Sequence, residues 1–272
     1  MAAHISNATT QHEALASPPP SMPYRTSRYV LRNNLPSRLM ALALLISVAP
    51  VLLVMIVLIR ATSRGPAIYS QWRSGHHGRR FKLYKLRTMQ QNAEAHSGAI
   101  WAPATDHRVT IIGRVLRRLH LDELPQLWNV IRGEMVFVGP RPERPEIIPD
   151  LIENVPGYLR RLAVKPGITG LAQINLPADS DYNSVRRKLV LDCEYIAHAN
   201  LCLDFRIVLC TLAKAAGIHS SRIRALLRVH RNPPLRPYLA HPSHHTALEN
   251  NGPVIAHPAF TSSDVTAHDV CL

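Results

Sequence analysis

Between Arg38 and Arg60 the chain runs 21 residues without a charge, Leu39 to Ile59. As a helix, at about 1.5 Å per residue, such a stretch reaches about 31 Å, close to the thickness of a bilayer's hydrocarbon core. This feature excludes a simple soluble protein. It also starts too late and runs too long for a secretory signal, and no small-residue cleavage site follows it. Pro50 lies mid-run, lacks an N–H and clashes with the carbonyl of Ile46. In lipid the freed carbonyls need a donor, and the Ser47 hydroxyl is near enough to serve. Both flanks are basic. Arg25, Arg28, Arg32 and Arg38 precede the run, and eight cations with no acid follow it from Arg60 to Arg87. Positive charge resists translocation, so this symmetry predicts a bent, re-entrant segment with both ends in the cytoplasm. The alternative is an ordinary span with a proline kink. Either way, the stronger cluster places the C-terminal region in the cytoplasm.

The rest of the chain divides by composition. Residues 1–37 are polar and carry Pro18, Pro19, Pro20, Pro23 and Pro36, which predicts disorder. The membrane helix is expected over 38–60 and a catalytic domain over 61–217. The His- and Pro-rich tail, 218–272, is expected to be disordered. Fourteen of the 18 acids fall between Glu94 and Asp204, although the whole chain carries +14. Lipid headgroups are the natural partner of the basic stretch. We expect no nucleic-acid partner, because the cations abut a membrane segment without an aromatic stacking platform. The four cysteines form no C-x-x-C pair, and the His76-His77 and His244-His245 pairs lack metal-ligand spacing and read as solvated.

Periodicity predicts mixed structure: short strands at Ala67–Gln71, Phe81–Arg87 and Met135–Val138, and helices at Thr110–His120, Val185–His198 and Leu203–Ala216. Asp122 is expected to cap another helix that Gly133 closes.

Three stretches carry chemistry: Lys85–Met89; Leu121–Val130 running on to Val138–Glu143; and Val164–Gln173. Asp122 and Glu123 are adjacent carboxylates at a helix start, where the dipole favours their ionised form. Such a group attacks phosphorus, holds Mg²⁺, or merely caps. Arg117 and Arg118 one turn upstream, with Arg87 in a nearby loop, suit a diphosphate; a solvated helix face is the plainer reading. Two prolines stiffen the backbone around Arg141 in Gly139-Pro140-Arg141-Pro142, as for reading a nucleotide or as a rigid turn. Lys165-Pro166-Gly167 with Thr169-Gly170 is a phosphate loop or a tight turn, and not a Walker motif.

Taken in order, these stretches resemble the bacterial sugar transferase family, the monotopic polyprenyl-phosphate phosphoglycosyl transferases. The resemblance covers about residues 38–217, and the chain looks like the minimal form, without a four-span N-terminal extension. It implies an α+β, membrane-associated monotopic fold with a re-entrant, Pro-broken N-terminal helix, amphipathic interfacial helices and a small β element. The implied reaction moves a phosphosugar from a nucleoside diphosphate sugar, expected to be a UDP-sugar, to polyprenyl (undecaprenyl) phosphate. It releases UMP and initiates exopolysaccharide or glycoconjugate synthesis at the bacterial inner membrane, with the catalytic domain facing the cytoplasm. Asp122 matches the nucleophile, Glu123 its assistant, and both are expected around Mg²⁺. Lys85, Arg87, Arg117, Arg118, Pro140, Arg141, Pro142 and Lys165 are the expected substrate-binding residues, and a homodimer is compatible with the family. Two departures stand out. Ala49 precedes Pro50 where many members have Ser. Asn175-Leu176-Pro177 replaces Asn-Gly-Arg, with Arg186 or Arg187 as substitutes for the missing arginine. A catalytically inactive, membrane-attached scaffold is the alternative function.

Overall fold

The computed structural model describes residues 26–32, 35–90, 107–218 and 220–233. In it a short helix, α1 (Arg28–Arg32), precedes the helix of the uncharged run, α2 (Leu35–Thr62). The break expected at Pro50 is absent: helical backbone continues through it. Ser47 does not serve the Ile46 carbonyl either. Its hydroxyl donates to Ala43 O one turn upstream, at 2.9 Å.

One stripe of α2 packs on the rest of the chain from end to end. Ala41, Leu45 and Val48 join Phe81, Leu83, Leu127 and Val130. Leu52, Met55, Ile56 and Ile59 join Leu86 and Leu116. These positions recur every three or four residues, as one helix face requires. The opposite face exposes Leu39, Ile46, Leu53 and Val57, each at least 60% accessible. An apolar face that large does not belong in water.

The surface under α2 is a β-hairpin. Strands β1 (Ile68–Ser74) and β2 (Arg80–Leu86) pair antiparallel, with Ile68 opposite Leu86 and Ser74 opposite Arg80. Inward Phe81 and Leu83 alternate with exposed Arg80 and Lys82, so the strand pattern read from the sequence holds, shifted by one residue. His76, expected to be solvated, lies in the hairpin turn with Nε2 3.1 Å from the Ala163 carbonyl.

Two helices follow, α3 (Ile111–Arg118), capped by the Thr110 hydroxyl, and α4 (Gln126–Arg132), closed by Gly133 in the left-handed region at φ 78°. Strand β3 (Val136–Val138) comes next, then α5 (Ile148–Asn154) and a 3-10 segment, Tyr158–Ala163. Strand β4 (Gly167–Thr169) pairs with β3 in parallel. Helix α6 (Leu171–Asn175) leads to α7 (Tyr182–His198), which has an Asp181–Ser184 capping box, and α8 (Leu201–Ala215), capped by Asn200. Their core joins Val138, Leu171, Leu191, Ile196 and Ile207.

Residues on both sides of the 38–217 boundaries drawn from composition pack against the fold. Ser27 N donates to Ile196 O, and the Tyr29 hydroxyl donates to Asp204 Oδ2 at 2.9 Å. After residue 217 a further helix, α9 (Ser220–Leu226), leads to Val229, which is fully buried. Arg224 donates to Ile174 O, and Arg231 pairs with Glu194. Residues 220–233 therefore pack on the fold, against the disorder expected from residue 218; the rest of the segments expected to be disordered, 1–25, 33–34, 219 and 234–272, lies outside the described residues.

Candidate active site

The two carboxylates do not cap a helix. They lie in a single 3-10 turn, Leu121–Glu123, and α4 begins only after Pro125. The turn is entered through His120 at φ 56°, a left-handed conformation uncommon for any residue but glycine. This reversal breaks the run from α3 and sets Asp122 and Glu123 against the end of β2.

Glu123 is the hub. Lys85 Nζ from β2 and Arg141 Nη2 from the loop after β3 both reach its Oε1, at 2.7 and 2.8 Å. Burial by itself would raise the Glu123 pKa. The Arg141 guanidinium and Lys85 ammonium outweigh it and hold the carboxyl well below the usual carboxylate range. Glu123 therefore stays ionised, with one oxygen already occupied twice. Asp122 differs. It is only 8% exposed, and no group among the described residues hydrogen-bonds its carboxylate. Burial pushes its pKa up, Lys85 opposes the rise, and the neighbouring Glu123 charge adds to it. Arg117 also acts on Asp122 electrostatically and is steered by its Nε bond to Thr88 Oγ1, 2.9 Å. Lys85, meanwhile, is pushed down by burial and by Arg141, against the pull of Glu123. Three cations thus face two carboxylates, a surplus that suits an incoming phosphate.

The loop around Arg141 is pinned on consecutive carbonyls. Gly167 N donates to Pro140 O at 2.9 Å, Arg161 Nη2 to Arg141 O at 2.9 Å, and Arg73 Nη1 to Pro142 O at 3.3 Å. Gly139 lies so close to β4 that a Cβ there would stand 2.7 Å from Lys165 O, and one on Gly167 only 2.1 Å from Gly139 N. Within Lys165–Gly170 the structure therefore places strand β4, Gly167–Thr169, rather than a tight turn, and Gly167 and Gly170 admit the neighbouring backbone.

Several expected binding residues fall elsewhere. Arg87 is buried, and its Nη2 donates to Ser63 O (2.9 Å) and Ser63 Oγ (2.7 Å), tying the end of α2 to the hairpin. Arg118 is exposed, with no ion pair among the described residues. Lys165 faces Gly133 and Arg38, not Glu123. Arg186, one of the two arginines expected to replace the missing phosphate-facing one, donates to Asn154 O at 2.9 Å. Asn175 instead donates to Val229 O and accepts from Arg231 N, anchoring the C-terminal segment.

Sequence reasoning passed over Asn129. It is fully buried, accepts from Tyr84 N, and donates to Lys82 O and Glu134 Oε2, which fastens α4 to β2. A polar residue on the buried face of an apolar helix was the available signal. Among the described residues no group of three or more His, Cys, Asp or Glu gathers around one point. A cation at Asp122 and Glu123 would draw its remaining ligands from substrate and water, as Mg²⁺ commonly does.

Comparison with known proteins fits this geometry. The family model for bacterial sugar transferases matches residues 30–217. A UDP-N-acetylgalactosamine-undecaprenyl-phosphate N-acetylgalactosaminephosphotransferase of Aeromonas hydrophila is 42% identical over 164 residues, 60% of this chain and 38% of that protein. An undecaprenyl-phosphate glucose phosphotransferase of Komagataeibacter xylinus is 42% identical over 176 residues, covering 63% of this chain and 33% of that protein. A sugar transferase of Bacillus subtilis, EpsL, is 37% identical over 174 residues and is covered to 82% of its length. The chain thus spans about a third of the length of the first two relatives. With the family's model matched from before α2 to the end of α8, this chain belongs to the bacterial sugar transferase family.

Proposed function

We propose that the protein is a phosphoglycosyl transferase that moves a sugar phosphate from a UDP-sugar to undecaprenyl phosphate by way of Asp122. The observation that carries the reading is the contrast between two adjacent carboxylates, one committed to two cations and one without a hydrogen-bond partner among the described residues. An Asp122 oxygen attacks the sugar-bearing phosphorus, and the bond from that phosphorus to the bridging oxygen breaks. The bridging oxygen leaves with UMP, and an acyl phosphate links Asp122 to the sugar phosphate. A phosphate oxygen of the lipid then attacks the same phosphorus and returns the carboxylate. One anhydride replaces another, so no outside energy source is needed.

Lys85, Arg117 and Arg141 neutralise the diphosphate, and Arg141 also reads the nucleotide; Glu123 keeps Lys85 and Arg141 aimed. Asp122 and Glu123 are the residues that would hold Mg²⁺, and a bound ion would add charge neutralisation at the phosphate oxygens. The relatives' names divide between N-acetylgalactosamine and glucose, so likeness selects no sugar. The expected assay is transfer of label from UDP-sugars to undecaprenyl phosphate with Mg²⁺ present. Asp122→Asn should lower it by at least about 10³-fold. Equal rates for wild type and Asp122→Asn would remove the nucleophile.

The same reading makes α2 monotopic. Ala41 to Ile59 covers about 27 Å, and its packed stripe rests on the hairpin and on α3 and α4 along that whole length. An upright span would drag Arg80 and Lys82 of the hairpin into the hydrocarbon, at about 2.5–3.5 kcal/mol for each cation near the centre. An unbroken α2 lying shallow along the cytoplasmic face keeps them in water. The exposed stripes Ile111–Val115–Leu119 and Leu201–Phe205–Leu212 suit the same interface. In a Cys-free background, Arg28→Cys and Ser70→Cys should react with an impermeant thiol probe from one side. Labelling from opposite sides would restore a full span.

A further inference from the structure

We propose that Arg161, charge-balanced by Asp192, is a positioning residue for Arg141; this rests on the phosphoglycosyl transferase reading. Arg161 lies 20 positions from Arg141, in the 3-10 segment after α5. Its guanidinium is 8% exposed and makes three contacts. Nη1 donates to the Tyr158 hydroxyl at 2.7 Å, Nη2 donates to the Arg141 carbonyl at 2.9 Å, and Nη2 also stands 2.9 Å from Asp192 Oδ2, a carboxylate 2% exposed. A buried ion pair whose other hydrogen bonds go to one tyrosine hydroxyl and one loop carbonyl is poorly explained by stability alone, since apolar side chains of similar volume serve that end as well. What the pair accomplishes is local. The prolines on either side of Arg141 limit its backbone, Gly167 and Arg73 hold the flanking carbonyls, and Arg161 fixes the carbonyl of Arg141 itself. The Arg141 side chain is then the free end of an otherwise pinned segment, aimed at Glu123. Arg161 touches no substrate in this scheme. It sets where the arginine that does so begins.

The test is a double-mutant cycle on the full chain in detergent. Arg161→Lys keeps a charge against Asp192 but loses the fork. It should lower kcat/KM for the UDP-sugar about tenfold, chiefly by raising KM, and in an Arg141→Ala background it should cost less than about twofold. Equal losses in both backgrounds would overturn the proposal, because a purely structural role does not depend on the Arg141 side chain. The charge-free pair Arg161→Met with Asp192→Leu guards against misfolding and should show the same non-additivity. A second readout is independent of turnover. Amide exchange at Gly139, Arg144 and Gly167 should accelerate in Arg161→Lys while α7 stays protected; unchanged exchange in the loop would also overturn the proposal. An inactive wild type would instead overturn the reaction assigned above, and the exchange measurement would still decide the role of Arg161.

Discussion

Two basic, proline-bearing stretches of this chain look alike in sequence and do opposite things. The corner formed by Lys85, Glu123 and Arg141 gathers charge from three separate elements around one carboxylate oxygen. Lys165–Gly170 carries a lysine, a proline and two glycines in the style of a phosphate loop, yet its glycines are occupied by the backbone of Gly139. The lesson is physical. A cation binds phosphate where its charge meets other charges in a cleft, and glycine beside it is informative only once what fills the missing side chain is known. The first region is organised by charge contacts, the second by the absence of a Cβ.

Lys85→Gln is the strongest way to break this contrast short of removing Asp122 itself. It removes a cation from both Glu123 and the incoming phosphate, and kcat/KM should fall roughly 10²-fold with little change in melting temperature. Gly167→Ala should behave in the reverse sense. Its Cβ has no room, so folding stability should fall by about 2–4 kcal/mol, a drop in melting temperature of roughly 5–15 °C by circular dichroism in detergent.

The pH profile sharpens the comparison further. In the proposed reaction Asp122 attacks in its ionised form; burial, above all, raises its pKa, so activity should be lost on acidification from a pH above the ordinary carboxylate range. Glu123→Gln removes an influence that raises that pKa and frees two cations, so the acid limb should move to lower pH. Lys85→Gln removes the main opposing influence and should move it to higher pH. A limb unmoved by either variant would separate Asp122 from the titrating group. The smallest effect belongs to Lys165→Ala, less than about threefold on kcat/KM, because that ammonium faces Arg38 and Gly133. A loss matching that of Lys85→Gln would return Lys165 to the site.

Much of this was legible in the chain because it is local. The uncharged run, the hairpin alternation at Phe81 and Leu83, the closing Gly133 and the pairing of Asp122 with Glu123 all depend on neighbours within a few residues. Arg141 was legible because two prolines flank it. What escaped is non-local. Parallel pairing of β3 with β4 joins residues about 30 positions apart, and so does the approach of Arg161 to Asp192. Arg87 shows the same limit: its Nη2 is bonded to Ser63, just past α2 and 24 positions away, a contact no local pattern announces. Helix packing through Pro50 escaped for a related reason, since contacts along α2 override the local penalty of the ring. Residues 26–32 and 220–233, inside segments expected to be disordered, are held by a few anchors, Tyr29, Arg224 and Val229, that outweigh a polar, proline-rich composition.

The account stands or falls on whether a sugar phosphate resides on Asp122. Wild-type protein mixed with a UDP-sugar and Mg²⁺, without lipid acceptor, then quenched and digested, should yield the peptide containing Asp122 heavier by one sugar phosphate, and undecaprenyl phosphate should discharge it. An unmodified Asp122 peptide under conditions where the same preparation turns over with acceptor, or the added mass on Glu123 instead, would contradict the account.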